Sequence, residues 1–262
     1  MDRHAAVVLA AVVLCFGGVA QAADFRVETQ VFDDGASDEP RLLAENLTLL
    51  SGQYIYDYLL GDALETCVLD TRSGRFVLLD SQREVRTAVD RNNLLKFVAA
   101  MNISAKKAGP IYRFAADPSF RETYDEATAR LTLANRLMTY EVRGMEMPDA
   151  HTAGQYTEFL DWYTRISATH AGALPPQARL ELNRCLFQHG IAPREVRLRI
   201  NRPDPQPPLA LRSVHKFAWR LTPDDRRRIE RTKTAMIDFT EVAFSEFRQL
   251  DLVAEVLAEP PR

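Results

Sequence analysis

The sequence predicts an α+β fold, with antiparallel strands packed against helices. Three observations point to it: short runs of alternating apolar and polar residues before residue 90, a change to three-and-four spacing from Arg91, and a return to alternation after Pro110. The composition is that of a globular protein, with 46% hydrophobic and 26% charged residues. A formal net charge of -3 supplies no general attraction to a polyanion, which argues against a nucleic-acid partner.

The first strand is read at Phe25 to Phe32 and ends at the polar turn Asp33-Asp34-Gly35. Tyr54 to Leu60, rich in aromatic and aliphatic residues, is a second. Leu64 to Leu69 and Arg75 to Leu79 flank Asp70-Thr71-Arg72-Ser73-Gly74, a hairpin signal in which Gly74 supplies the positive φ such a connection often needs. Glu84 to Val89 alternates again, as a strand with one wet face. Leu94, Phe97, Val98 and Met101 then fall on one side of a helix from Arg91 to Ala105, stopped by Gly109-Pro110.

A second strand-rich section is expected at Ile111 to Phe114, Phe120 to Asp125, Ala127 to Ala134 and Leu137 to Val142. After Pro148 a helix from Thr152 to Thr169 carries an aromatic stripe of Tyr156, Phe159, Leu160 and Tyr163, read as a packed face. Another helix runs from Pro176 to His189, with Gly190 in the favoured terminal position. Glu195 to Ile200 is a strand; Asn201 to Pro208 holds four prolines and forms a stiff connection (201-208); Leu211 to Leu221 is the last strand. Thr222-Pro223-Asp224-Asp225 is a strong helix start, and the helix is expected to pass through Met236, Phe239 and Val242 to Phe247.

The ends carry an address. Arg3, the 12-residue apolar stretch Ala5 to Phe16 and the small residues of Ala20-Gln21-Ala22 have the layout of a secretory signal peptide at 1-22, with cleavage near Ala22. Cys15 lies inside that apolar stretch rather than at its end, which disfavours lipid attachment. A single domain is expected at 23-257, with 258-262 as a frayed tail, in a periplasmic or secreted protein. No second apolar run reaches the roughly 20 residues of a membrane-spanning helix, so no transmembrane segment is expected. Cys67 and Cys185 remain after cleavage. An oxidising compartment permits a disulfide between them, while the apolar segment around each fits two buried free thiols equally well.

Signals for chemistry are sparse. His151, His170 and His189 lie near predicted helix or loop ends, and His215 lies in a strand; none has the spacing of a zinc site. No serine sits on a glycine-rich strand-to-helix turn, and no phosphate loop is present, so no catalytic residue, metal or cofactor is assigned. Cys185 and His189 are four apart on a helix, but the cysteine belongs to the apolar stripe. Arg226, Arg227, Arg228, Arg231 and Lys233 form a concentrated basic patch, readable as an anionic-surface site or as an ordinary solvated helix face. Tyr54, Tyr56, Phe76 and Leu78 share alternating positions, and read either as core or as the lining of a ligand cavity.

The signal peptide, the meander that includes Gln53 to Leu60 and Arg75 to Leu79, and the return to strands after the Arg91 helix together resemble the periplasmic lipoprotein-carrier fold. That resemblance covers about half the mature chain. It implies a curved antiparallel sheet closed on its concave side by helices; the extra helices between Thr152 and His189 depart from a minimal carrier. The function it implies is non-enzymatic binding of a lipid, another hydrophobic ligand or a lipoprotein in the cell envelope. The other readings are a structural module that binds an envelope protein partner, and an enzyme of unrecognised type.

Overall fold

The computed structural model describes residues 24–35, 39–61, 65–203 and 205–248. The signal segment at 1-22, Cys15 and the tail at 258-262 lie outside them. The chain forms an unclosed, mostly antiparallel sheet of 12 strands packed against several helices. Strands β1 (Phe25–Asp33), β2 (Arg41–Ser51), β3 (Tyr54–Leu60), β4 (Glu65–Asp70), β5 (Arg75–Asp80) and β6 (Val85–Asp90) meander outward in one direction. Helices α1 (Arg91–Ala105) and α2 (Pro110–Ala116) then carry the chain to the opposite edge. From there β7 (Arg121–Asp125), β8 (Arg130–Ala134) and β9 (Met138–Glu146) step back inward; α3 (Ala150–Ser167) and α4 (Gln177–Gln188) follow, then β10 (Ile191–Ile200) and β11 (Leu209–Ala218). The β11 strand pairs with β1, so the two halves of the sheet join in its middle.

Local chemistry accounts for the punctuation. Gly74 has φ +69, a backbone conformation that favours glycine in the β4–β5 turn, and a Cβ there would also displace the end of the Arg91 side chain. Asp90 caps α1 by accepting from the Asn93 amide at 2.9 Å, and Asp149 caps α3 from the Thr152 amide at 2.8 Å. Thr222 and Asp225 form a reciprocal capping box at the start of α5 (Pro223–Asp238). The buried Asp225 carboxylate also accepts from Arg26 on β1 at 3.1 Å, which ties the start of α5 to the sheet.

Alternation assigns each sheet face. On the inner face, Phe25, Leu50, Ile55, Leu69, Phe76 and Val89 follow one another across β1–β6 and pack with Leu94 of α1 and Tyr156, Phe159 and Ile166 of α3. Leu131, Tyr140, Val142 and Val196 extend that face across β8–β10 and meet Ala115 of α2 and Leu182 and Leu186 of α4. On the outer face, Leu47, Leu49, Tyr56, Tyr58, Val68 and Leu79 are covered by α5 through Ile229 and its neighbours. Among the described residues no helix lies over the outer face of β9–β11.

Several expectations change. Ile111 to Phe114 is helix α2 rather than strand: Pro110 takes the first helical position, and Ile111, Phe114 and Ala115 turn one face to the core. Strand β2 has no counterpart in the sequence reading. Its Leu47–Leu50 stretch is buried on both faces, which erases the alternation that betrays a half-exposed strand. The last helix stops at Asp238 instead of running to Phe247. Residues Thr240–Glu241 form β12, parallel to β6, and the chain rounds that edge so that Phe239 packs on the outer face while Phe247 of α6 (Phe244–Arg248) enters the inner core. This return covers an edge that would otherwise present unpaired backbone groups. Among the described residues no helix is long and apolar enough to cross a membrane.

Candidate functional site

The sequence-derived ligand residues do not share a surface. In the β3–β4–β5 register, Tyr56 lies across from Val68 and Val77 on the outer face, and Tyr54 is on that face too, whereas Phe76 and Leu78 belong to the inner core. Tyr54 and Tyr56 therefore pack with the cluster beneath α5, and the four cannot line one cavity. The basic patch on α5 is also largely committed within the chain. Arg226 pairs with Asp24 at 3.4 Å, Arg227 with Asp224, and Lys233 with Glu230 at 2.7 Å, while Arg228 lies over the Tyr58 ring at 5.1 Å. Arg231 is exposed.

Cys67 and Cys185 are free and buried, on β4 and α4, in separate apolar clusters. The bridge that an oxidising compartment permits is not formed in this structure. The Cys185–His189 pair is joined through Glu122 of β7. The Cys185 thiol donates to Glu122 Oε2 at 3.3 Å, and His189 Nε2 meets Glu122 Oε1 at 2.6 Å with its ring stacked on Tyr124 at 3.8 Å. Burial, together with the Glu122 hydrogen bond, pushes the thiol up to about 12, so it stays protonated and is no nucleophile at neutral pH.

The feature that stands out is a cleft of about 370 Å³ between the inner face of β1, β2, β3 and β11 and the helix α3 with its connection to α4. Its volume lies at the lower end of pockets that hold small molecules, about 300–1,000 Å³. One wall is apolar: Tyr156, Phe159 and Leu160 of α3, Val31 of β1, and Leu174 beyond the helix. The aromatic stripe of α3 thus packs against the sheet and forms the cleft wall in the same stroke.

The floor is polar and consists of two groups. In the first, the Asp57 carboxylate accepts from Thr48 Oγ1 at 2.5 Å and from Asn46 Nδ2 at 2.9 Å, with the Tyr163 hydroxyl as a third hydrogen-bond partner. Asp57 is only 4% exposed, and burial raises its pKa against the opposing pull of these donors. In the second, His215 Nδ1 contacts Thr29 Oγ1 at 3.0 Å and Nε2 contacts Ser213 Oγ at 2.9 Å. Burial, and secondarily the Arg179 charge, lowers His215 to about 3, so the ring is neutral at ordinary pH. Both polar groups are satisfied by hydroxyl and amide partners, and the acid is not hydrogen-bonded to the imidazole. Arg179, on α4, brings positive charge to the rim and is held by Asn183, whose Oδ1 accepts from Nε at 3.3 Å.

Sequence reasoning missed this floor. One signal was available: Asp57 stands alone in Tyr-Ile-Tyr-Asp-Tyr-Leu-Leu, an acid in the middle of an otherwise buried strand. Asn46 turns its amide inward to Asp57. No protein-family model and no curated protein matches the chain.

Proposed function

We propose that the protein is an exported, non-enzymatic binder of a hydrophobic molecule with a polar end, working in the periplasm or as a secreted protein. The observation that carries this reading is the cleft beneath α3, apolar along its wall and hydrogen-bonded throughout its floor. Removing acyl or similar apolar surface from water against Tyr156, Phe159 and Leu160 supplies the drive, while Arg179 favours an anionic end group. The resemblance to periplasmic lipoprotein carriers points the same way, with the acyl group of a lipid or lipoprotein as the occupant. A binder is favoured over an enzyme because Asp57 and His215 are each tied to their own partners, with no acid–imidazole pair facing the cleft.

Extraction of the protein from its native compartment, followed by mass spectrometry, is expected to recover a lipid. Ser167→Phe, which fills the cleft from α3, should weaken binding of a fluorescent fatty-acid probe about tenfold or more, equivalent to about 1.4 kcal/mol, without lowering the melting temperature. Lipid-free protein that also ignores the probe would overturn the reading.

A further inference from the structure

Among the described residues no helix covers the outer face of β9–β11, which carries a groove of about 880 Å³ whose charged lining is Arg130, Arg143, Arg194 and Lys216 with one acid, Glu195, and which Trp219 borders. These four cations are far apart in sequence and are gathered only by strand pairing. Arg130 lies directly across from Arg143, and Arg143 across from Glu195. Like charges set opposite each other on one sheet face repel, a cost the fold carries unless an anion relieves it. Glu141, two residues from Arg143 on the same face of β9, forms no ion pair or side-chain hydrogen bond among the described residues, whereas three other acids nearby are engaged. Glu195 accepts from Arg197 at 2.7 Å, and Glu28, across from Lys216, accepts from Arg26 at 2.5 Å. Asp125, across from Arg130, holds Thr128 and the Ala127 amide, and the Arg130 charge adds to the hydrogen bonds that keep its carboxyl below the usual carboxylate range. Among the described residues none of the four cations forms an ion pair or a side-chain hydrogen bond.

From this charge arrangement we propose that the groove docks the protein on an anionic lipid surface, with headgroup phosphates between the four cations. Trp219 favours lipid as the source of the anions. It is 41% exposed and stacked on Phe217 at 5.5 Å, an amphipathic ring anchored at the groove edge in the manner that suits a water–lipid boundary. The groove shares His215 with the inner cleft, and Trp219 packs on Phe25 and Phe217 of the inner cluster, but the four cations that carry the inference do not line the cleft.

Co-sedimentation of the protein, purified from its native source, with phosphatidylglycerol–phosphatidylcholine vesicles tests it. Binding should exceed that to pure phosphatidylcholine and fall as salt rises. Each cation neutralised should reduce partitioning about fivefold, so that Arg143→Gln with Arg194→Gln reduces it about 25-fold. The paired α5 change Arg227→Gln with Lys233→Gln should leave it unaltered, and circular dichroism should find both double variants folded. Equal binding to uncharged vesicles overturns the proposal, as does a folded groove variant that binds like the parent, or a loss confined to the α5 variant. Retention on a polyglutamate surface without vesicle binding also overturns it, in favour of an acidic protein partner.

Discussion

The two halves of the sheet are built from similar strands but are covered differently. Strands β2–β5 lie between the inner core and α5, so Leu47–Leu50 and Ile55–Tyr58 are buried without a break. Among the described residues strands β8–β11 have helices on the inner face only, and their residues alternate: Leu131, Leu133, Tyr140 and Val142 inward, Arg130, Arg143 and Lys216 outward. Covering both faces concentrates stability in the first half. Leaving one face bare makes a charged surface available in the second. The cleft lies at the seam, where β1 and β11 meet.

The sharpest break of this contrast is a core truncation in the doubly covered half. Phe76→Ala, at a side chain 1% exposed, should lower the unfolding free energy by about 3–5 kcal/mol in urea titration. A cost near that of a surface change would mean that the first half is not the stability centre.

At the seam, His215 makes stability pH-dependent. Its folded pKa, about 3, lies below the ordinary 6.5, so as pH falls from 6.5 the unfolded chain takes up the proton first and the folded state loses stability down to about pH 3. Asp57 acts in the opposite sense. Its raised folded pKa favours the folded state at low pH, and that contribution is lost as pH rises from 3.8 through the folded value. His215→Gln should therefore remove a slope of up to about 1.4 kcal/mol per pH unit between pH 3 and 6.5, read from denaturation midpoints across that range.

Smaller effects sharpen the role of the outer cover. Thr222→Ala removes one arm of the α5 capping box and should cost about 1 kcal/mol, with faster amide exchange in the first turn of α5. Arg143→Gln on the bare face should change stability by no more than about 0.5 kcal/mol, and in the stabilising direction if Arg130 repels it. Destabilisation by more than about 1 kcal/mol would show that the bare face contributes to the fold after all.

Legibility followed exposure. Strands with one wet face, such as β6 and β10, announce themselves by period two, and the Arg91–Ala105 helix by its spacing and by the Gly109-Pro110 stop. Buried strand β2 did not, because both its faces are buried over Leu47–Leu50 and its leucines suit a helix as well as a strand. The site was less legible still. Asp57, Asn46 and Thr48 meet across β2 and β3, His215 and Thr29 across β11 and β1, and no local spacing links residues 29 and 215.

The sequence by itself determined the α+β class, most element positions, the Thr222 cap, the Gly74 turn and the apolar stripe of α3, because each depends on neighbours within a few residues. Only the tertiary structure decided which face each strand turns inward, that Tyr54 and Phe76 lie on opposite sides, and that Cys67 and Cys185 stay apart. It also decided which cations remain free. The consecutive arginines of α5 are mostly taken up by nearby acids and a ring, whereas Arg130, Arg143, Arg194 and Lys216 are gathered from distant positions by strand register and form no ion pair or side-chain hydrogen bond among the described residues. Charge neutralisation is a matter of distance in space, which a linear pattern does not encode.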